Sequence, residues 1–209
     1  MNAAHPSMRL KLGTTGANRL TIISQLILDA AKGSPTMLTI SQVNSEVEIA
    51  AVQELMREYA TWAFSIVPGS EDSPAWAGFE AELATLPGVY APPEGRLLLA
   101  VDDGHPAGCV CLKRHDDNVS ELKRLFVRPS FRGKNIGRHL VKMLINEARQ
   151  SKYQRIVLDS HISMKKAHAI YLEAGFRLVN APDDFPEDIK PVVVFMECDL
   201  SDQEKGWLV

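Results

Sequence analysis

A chain of 209 residues, 45% of them hydrophobic, has the length for one domain with an extension and enough apolar mass for a sizeable core. Its 23 Lys+Arg against 26 Asp+Glu, a formal net charge of −3, exclude an extended nucleic-acid surface but allow one local basic patch. No apolar run reaches the ~20 residues of a membrane span, and three cysteines are too few for a disulfide framework or a four-ligand zinc site, so a reducing cytoplasm fits best.

In chain order, residues 1–36 are basic and acid-poor, since Arg9, Lys11 and Arg19 precede the first acid, Asp29. Such a start suits a transit peptide, a loose tail or an extended start, and the last two are the simpler readings. Leu20 to Ala31 is apolar enough for a short docked helix, and Lys32-Gly33-Ser34-Pro35 reads as a linker. The domain is therefore expected over 37–200, with 201–209 as a C-terminal tail.

Met37 to Val43 reads as the first strand. Ser45 with Glu48 three residues on is a capping box, and Val52, Leu55, Met56, Tyr59 and Ala63 follow on one helical face. That helix should stop near Phe64, before Pro68-Gly69. Ser73-Pro74 sets a cap before a proline at the first helical position; Trp76, Phe79 and Leu83 make a second helix, closed by Pro87-Gly88. Arg96 to Val101 and Pro106 to His115 read as strands joined by the Asp102-Asp103-Gly104 turn. In the second of them Cys109 and Cys111 share a face as small buried thiols.

After the turn His115-Asp116-Asp117-Asn118 comes the stretch around which the rest is arranged, Glu121 to Gln150. Glu121 to Val127 reads as a strand, ended by Arg128-Pro129 because proline has no N–H for a sheet ladder. Arg132-Gly133-Lys134-Asn135-Ile136-Gly137 then leads into a helix whose Ile136, Leu140, Val141, Leu144 and Ala148 recur at helical spacing. A glycine loop between strand and helix is an anion cradle, because the first helical N–H groups lack intrahelical partners and carry partial positive charge. Arg132, Lys134 and Arg138 add full charge. Neither the dinucleotide G-x-G-x-x-G pattern nor a P-loop is present. Further on, Arg155 to Asp159 is a short buried strand; Ser163 is placed to cap a helix that Gly175 ends in the left-handed conformation. Phe176 to Val179 and Pro191 to Leu200 supply the last strands.

The pattern Arg132-x-x-Asn135-x-Gly137 after a strand ending in Val127-x-Pro129 resembles the hallmark of the GNAT acyl-CoA N-acyltransferases, with asparagine in place of the first motif glycine. Asparagine tolerates left-handed backbone better than most residues. Ala167-His168-Ala169-Ile170-Tyr171-Leu172-Glu173-Ala174-Gly175-Phe176 is similar to the family's Ala-x-x-x-Tyr-x-x-x-Gly-Phe signature. The resemblance covers roughly 37–200. It implies an α/β fold: a mixed, mostly antiparallel central sheet flanked by helices, with a splayed strand pair at the acetyl-CoA site.

The same resemblance implies an acetyl-CoA-dependent N-acetyltransferase working by direct attack in a ternary complex. Its pantetheine arm would lie between Glu121–Val127 and Arg155–Asp159, held by backbone groups of Leu125, Phe126 and Val127, of which Phe126 or Val127 faces the thioester oxygen. The pyrophosphate would rest on Arg132, Gly133, Lys134, Asn135, Ile136, Gly137 and Arg138. Tyr171 matches the residue that protonates the departing thiolate, and Glu121 the residue used as general base. Glu121 is equally placed to pair with Lys123 on the same strand face, and His161 is a rival base. The family's frequent asparagine is Met164 here, so Ser163 or Lys166 would replace its contact. Asp183, Asp184, Glu187 and Asp188 form an acidic loop, solvated or drawing a cationic amine.

The resemblance needs no metal. The expected partner is a small-molecule amine, with protein or peptide amines as a subsidiary class; nucleic acid and membrane are not expected, and homodimerisation is left open. A catalytically silent acyl-CoA-binding module would keep the same cradle, but only an enzyme needs Glu121 and Tyr171.

Overall fold

A computed structural model of the protein describes residues 37–65 and 74–201. The 20–31 helix, the 32–35 linker, the Pro68-Gly69 turn, the Ser73 cap and the 202–209 tail all lie outside the described residues.

The chain opens with strand β1 (Leu38–Gln42) and helix α1 (Glu46–Ser65). The capping box is made: Glu48 N–H donates to Ser45 Oγ at 3.3 Å, and the Asn44 and Ser45 N–H groups donate to Glu48 Oε2 at 3.0 and 3.1 Å. Helix α2 (Pro74–Ala84) and a turn of 3₁₀ helix (Gly88–Tyr90) precede the hairpin β2 (Arg96–Asp102) and β3 (His105–Arg114). Then come β4 (Val119–Val127), α3 (Ile136–Gln150), β5 (Arg155–His161), α4 (Lys165–Glu173), β6 (Arg177–Val179) and β7 (Val193–Asp199).

The strands form one seven-stranded sheet in the order β1-β2-β3-β4-β5-β7-β6. Every neighbouring pair is antiparallel except β4 and β5, which run parallel across the α3 crossover. This is the expected mixed, mostly antiparallel sheet. The final strand enters between β5 and β6 and leaves the three-residue β6 at the edge. Pro191 falls in a 3₁₀ turn (Lys190–Val192) rather than in β7, as its missing N–H requires.

Helices cover both faces, so there are two cores. Under α3 and α4 lie Leu98, Ala100, Val110, Leu112, Leu122, Ile156 and Leu158, against Leu140, Val141, Leu144 and Ala148. Under α1 and α2 lie Leu97, Leu99, Cys109, Cys111 and Phe126, against Val52, Leu55, Met56, Phe79 and Leu83. The alternation along β2 and β3 is what serves both layers, and each fully buried Leu contributes roughly 1.5–3 kcal/mol of transfer free energy. No described helix is long and apolar enough to cross a membrane.

Of the two local expectations for α4, one fails and one is met. Ser163 does not cap α4: the N-cap is Met164, with no side-chain hydrogen bond, because Ser163 Oγ is turned to His161 Nδ1 at 2.8 Å. Gly175 does end that helix at φ +95°, with Phe176 N–H donating to Tyr171 O at 2.9 Å.

Candidate active site

The parallel ladder between β4 and β5 contains only Val119↔Arg155, Ser120↔Ile156 and Glu121↔Val157. Beyond that last pair β4 runs on to Val127 and β5 to His161 without pairing. The two strands thus form a fork, closed at Glu121–Val157 and open toward the start of α3. The splayed pair expected from sequence is present.

A bulge shapes one arm of the fork. Opposite β3, Cys111 pairs with Lys123 and Cys109 with Phe126, so β4 carries one residue more than its partner over this step. Arg124 absorbs it at φ +59°, a left-handed conformation uncommon outside glycine. Without the bulge Lys123 and Arg124 would face opposite sides; with it, both serve the α1–α2 side, while Leu125 and Val127 pack toward the other core. Arg124 lies over the Phe79 ring at 5.1 Å and grips Glu82 through Nε at 3.0 Å and Nη2 at 2.5 Å. Tyr90 O–H donates to the same Glu82 carboxylate at 2.7 Å. Burial would raise the Glu82 carboxyl, but Arg124 outweighs it and holds it below its ordinary value.

At the fork's open end Gly133 has φ +87° and Asn135 sits at φ 60°, ψ 11°. A Cβ at Gly133 would touch nothing within 4 Å, so its glycine answers to backbone conformation alone. At Gly137 the limit is contact, since a Cβ would meet Ile170 Cδ1 at 3.1 Å. The α3 N-terminus has no side-chain cap, and its ladder begins with His139 N–H to Asn135 O at 3.1 Å. The preceding N–H groups therefore face out, an arrangement that fits a diphosphate. The three cations are held differently: Arg132 Nε donates to Val127 O at 3.1 Å, Lys134 pairs with buried Asp102 at 2.6 Å, and Arg138 with Glu173 at 2.6 Å and Asn135 Oδ1 at 2.6 Å. Alongside, a cleft of about 200 Å³ between α3 and α4 has Arg138, Lys142 and Arg149 around an apolar floor of Ile145, Ile170 and Ala174.

At the closed end stands a row of charges. Glu121 pairs with Lys113 at 2.8 Å and Lys123 at 2.7 Å, and Lys123 pairs again with Asp159 on β5 at 2.9 Å. Burial would raise the Glu121 carboxyl, yet the lysines outweigh it and keep it below the usual carboxylate range. Burial would lower the Lys123 ammonium, and Asp159 and Glu121 reverse that. Tyr171 reaches the fork from the α4 layer, 5% exposed, its ring 5.6 Å from Phe176. Its phenol is pushed well up, first by burial and then by Tyr59 and Asp159 nearby. Tyr59 on α1 comes from the opposite layer, 6.1 Å from the Phe126 ring, and is raised chiefly by burial.

Residues 50–176 match the model of the Acetyltransferase (GNAT) family. The chain belongs to the GNAT acetyltransferase family. An uncharacterised N-acetyltransferase of Schizosaccharomyces pombe is 34% identical over 122 residues, spanning 57% of this chain and 73% of that protein. The N-acetylaspartate synthetase of Danio rerio is 34% identical over 106 residues, half of this chain but only 38% of that protein's length. An IAA acetyltransferase of Azospirillum brasilense is 30% identical over 125 residues, 59% of this chain and 78% of that one. The fold matches PaiA N-acetyltransferase of Thermoplasma acidophilum in complex with coenzyme A, with TM-score 0.63 and 19% identity over 78% of this chain and 98% of that one. This GNAT domain is an acetyl-CoA-dependent N-acetyltransferase.

In this GNAT chain the structure brings Glu121, Leu125, Phe126, Val127 and Tyr171 to the fork and the 132–138 loop to its mouth. His161 lies on β5 two residues past Asp159, its Nδ1 engaged by Ser163. Met164 accepts from Ser160 Oγ at 3.5 Å, and Ser160 Oγ also meets His168 Nε2 at 3.0 Å. Spacing along the chain gives no functional mark to Asp159, Arg124 or Glu82 and sets Tyr59 only on the apolar face of α1. Only a charge at the strand end signalled Asp159; nothing local signalled the bulge.

Proposed function

We propose that this acetyltransferase moves the acetyl group of acetyl-CoA to the primary amine of a small molecule, by direct attack in a ternary complex. The observation that carries the reading is the fork. An acyl-pantetheine arm satisfies the unpaired edges of β4 and β5 as an added strand would, with its phosphates on the α3 N-terminus and the net-basic cleft beside it ready for the nucleotide end. The α1–α2 side, lined by Tyr59, Phe126, Phe79 and the Arg124–Glu82 pair, is left for the acceptor. The names of the matched N-acetylaspartate synthetase and IAA acetyltransferase, which both point to small molecules, support this class of acceptor.

Within that reading Tyr171 is the proton donor to the departing sulfur. Its raised pKa keeps the phenol protonated throughout the working range, and its ring is fixed by packing on Phe176. Backbone groups of Leu125, Phe126 and Val127, nearer the fork's mouth, line the pantetheine arm. Glu121, held by two lysines, acts mainly by fixing Lys123.

The test is CoA thiol release from acetyl-CoA with a panel of amines, polyamines, amino acids and an unstructured peptide. Turnover of at least one small amine, well above that of the peptide, is expected. Acetyl-CoA at a hundred times its dissociation constant should also add about 2.7 kcal/mol of stability. Turnover confined to the peptide would overturn the acceptor class, and binding without any turnover would leave a silent acyl-CoA module.

A further inference from the structure

We propose that Asp159 accepts the proton of the attacking amine, and that Lys123 is the residue that positions it. The inference rests on acetyl transfer to an amine and assigns the proton step within it.

Depth in the fork is the first argument. An arm that enters at the α3 N-terminus and runs down between the strands is stopped by the ladder at Glu121↔Val157. Lys123 and Asp159 each lie two residues before that stop, so their 2.9 Å contact spans the fork where the reactive end of the co-substrate must come to rest.

Direction is the second. Along β5, Ile156 and Leu158 turn into the core beneath α3 and α4, so by strand alternation Asp159 faces the α1–α2 side left for the acceptor. Tyr171 belongs to the opposite layer. Base and acid therefore stand on opposite sides of the thioester, as attack from one side and departure to the other require, yet both are near enough for Asp159 to act on the Tyr171 phenol.

Third is availability. Both oxygens of Glu121 are taken, Oε2 by Lys113 and Oε1 by Lys123, and its side chain is 12% exposed. Asp159 is 42% exposed and meets Lys123 through Oδ1 alone. Around it stand Lys123 and Glu121 from β4, Tyr59 from α1 with Arg124 beyond it, Tyr171 from α4, and His161 two residues on. Lys123 holds the carboxylate across the fork, and Glu121 holds Lys123.

The amine, having left one proton in solvent, gives its lone pair to the acetyl carbonyl carbon, and its surplus proton passes to the Asp159 carboxylate directly or through one water. The carbon–sulfur bond breaks with its electron pair on sulfur, and Tyr171 O–H protonates the sulfur. Amide and free thiol result, and protonated Asp159 restores the Tyr171 proton through water.

The experiment uses the full chain and whichever amine of the panel it turns over fastest. Asp159→Ala should lower kcat about 10²–10⁴-fold, as loss of a general base does, while acetyl-CoA affinity by calorimetry stays within about threefold. Added formate, a small carboxylate able to occupy the vacated space, should restore Asp159→Ala at least about tenfold and leave Glu121→Ala unrestored. Should Asp159→Ala fail to bind acetyl-CoA, the nearly isosteric Asp159→Asn is judged by the same rate criterion. Overturning results are kcat within about threefold of wild type in Asp159→Asn, absence of formate rescue in a variant that binds acetyl-CoA normally, or rescue of Glu121→Ala instead. A wild-type chain inactive on every amine overturns the function as well; an active one with unrescued Asp159→Ala overturns the proton assignment alone.

Discussion

The Lys123 ammonium and the Asp159 carboxylate meet at 2.9 Å between two strands that paired until two residues earlier. This ion pair keeps the arms of the fork in fixed register where no backbone ladder does so. At side-chain exposures of 24% and 42% it is only partly screened, and Glu121 at 2.7 Å fixes the lysine from its own strand.

The acid role of Tyr171 is tested by removing one oxygen. Tyr171→Phe keeps the ring on Phe176 and should lower kcat by about 10²–10⁴-fold with acetyl-CoA affinity nearly unchanged. Because burial raises the phenol, wild-type turnover should show no loss from Tyr171 ionisation below about pH 10, the reference value. Steady-state kinetics across pH, paired with calorimetry, checks both parts.

At the cofactor loop the left-handed backbone of Asn135 separates conformation from side-chain chemistry. Asn135→Gly and Asn135→Val both lose the hydrogen bond to Arg138, but only valine resists φ 60°, at a cost of roughly 1–2 kcal/mol. The glycine variant should keep most of the acetyl-CoA-induced rise in melting temperature and the valine variant should lose most of it. Gly137→Asp, which adds a side chain at the Ile170 contact and a negative charge beside the proposed phosphate site, should abolish the rise.

For Glu121 the linkage has a definite sign. Its folded pKa lies below the unfolded value, so it contributes stability above about pH 4.3, and that contribution is lost as pH falls through the folded pKa. Glu121→Gln removes the negative charge and sets an amide NH2 donor against one of the two lysines, and should cost about 1–3 kcal/mol at pH 7. Urea unfolding at a series of pH values should show the gap between wild type and variant narrowing below about pH 4.3. A gap that stays constant would mean the pair is energetically idle.

Arg124→Ala leaves the Glu82 carboxylate with Tyr90 as its remaining described hydrogen-bond partner and retains a left-handed residue at the bulge. With both side chains about one-fifth exposed, the loss should be on the order of 2 kcal/mol, less than the 3–5 of a fully buried pair. A double-mutant cycle with Glu82→Gln measures the coupling. Additive losses would show that the Phe79 contact, rather than the ion pair, holds the arginine.

The cysteines should be inert in the folded chain. Cys109 and Cys111 are fully buried, Cys198 is 2% exposed, and burial pushes the Cys109 thiol up to about 12. Thiolate, not thiol, reacts with alkylating agents. A thiol-reactive chromophore should therefore register none of these groups in native buffer and all three in denaturant.

Much of this was legible because it depends on near neighbours along the chain. Ser45 and Glu48 cap α1, the apolar spacing from Ile136 to Ala148 sets the buried face of α3, and Gly175 ends α4 one turn after Tyr171. Each is decided within a helical turn or two, so residue type and spacing suffice. The loop at Gly133 and Asn135 belongs here as well, because left-handed backbone is a property of single residues.

The partner of each charge was decided only in three dimensions. Glu121 is two residues from Lys123, so that pair could be read from strand parity, but Lys113 reaches Glu121 through the β3–β4 register and Asp159 reaches Lys123 across 36 positions of sequence. Arg124 reaches Glu82 across 42 positions, and only because the bulge turns it to the α1–α2 side. A single inserted residue exchanges the faces of all that follow, and no local pattern records it. The depth of the fork is likewise the point at which tertiary packing ends one ladder, and that point brings a carboxylate of β5 within electrostatic reach of the Tyr171 phenol on α4.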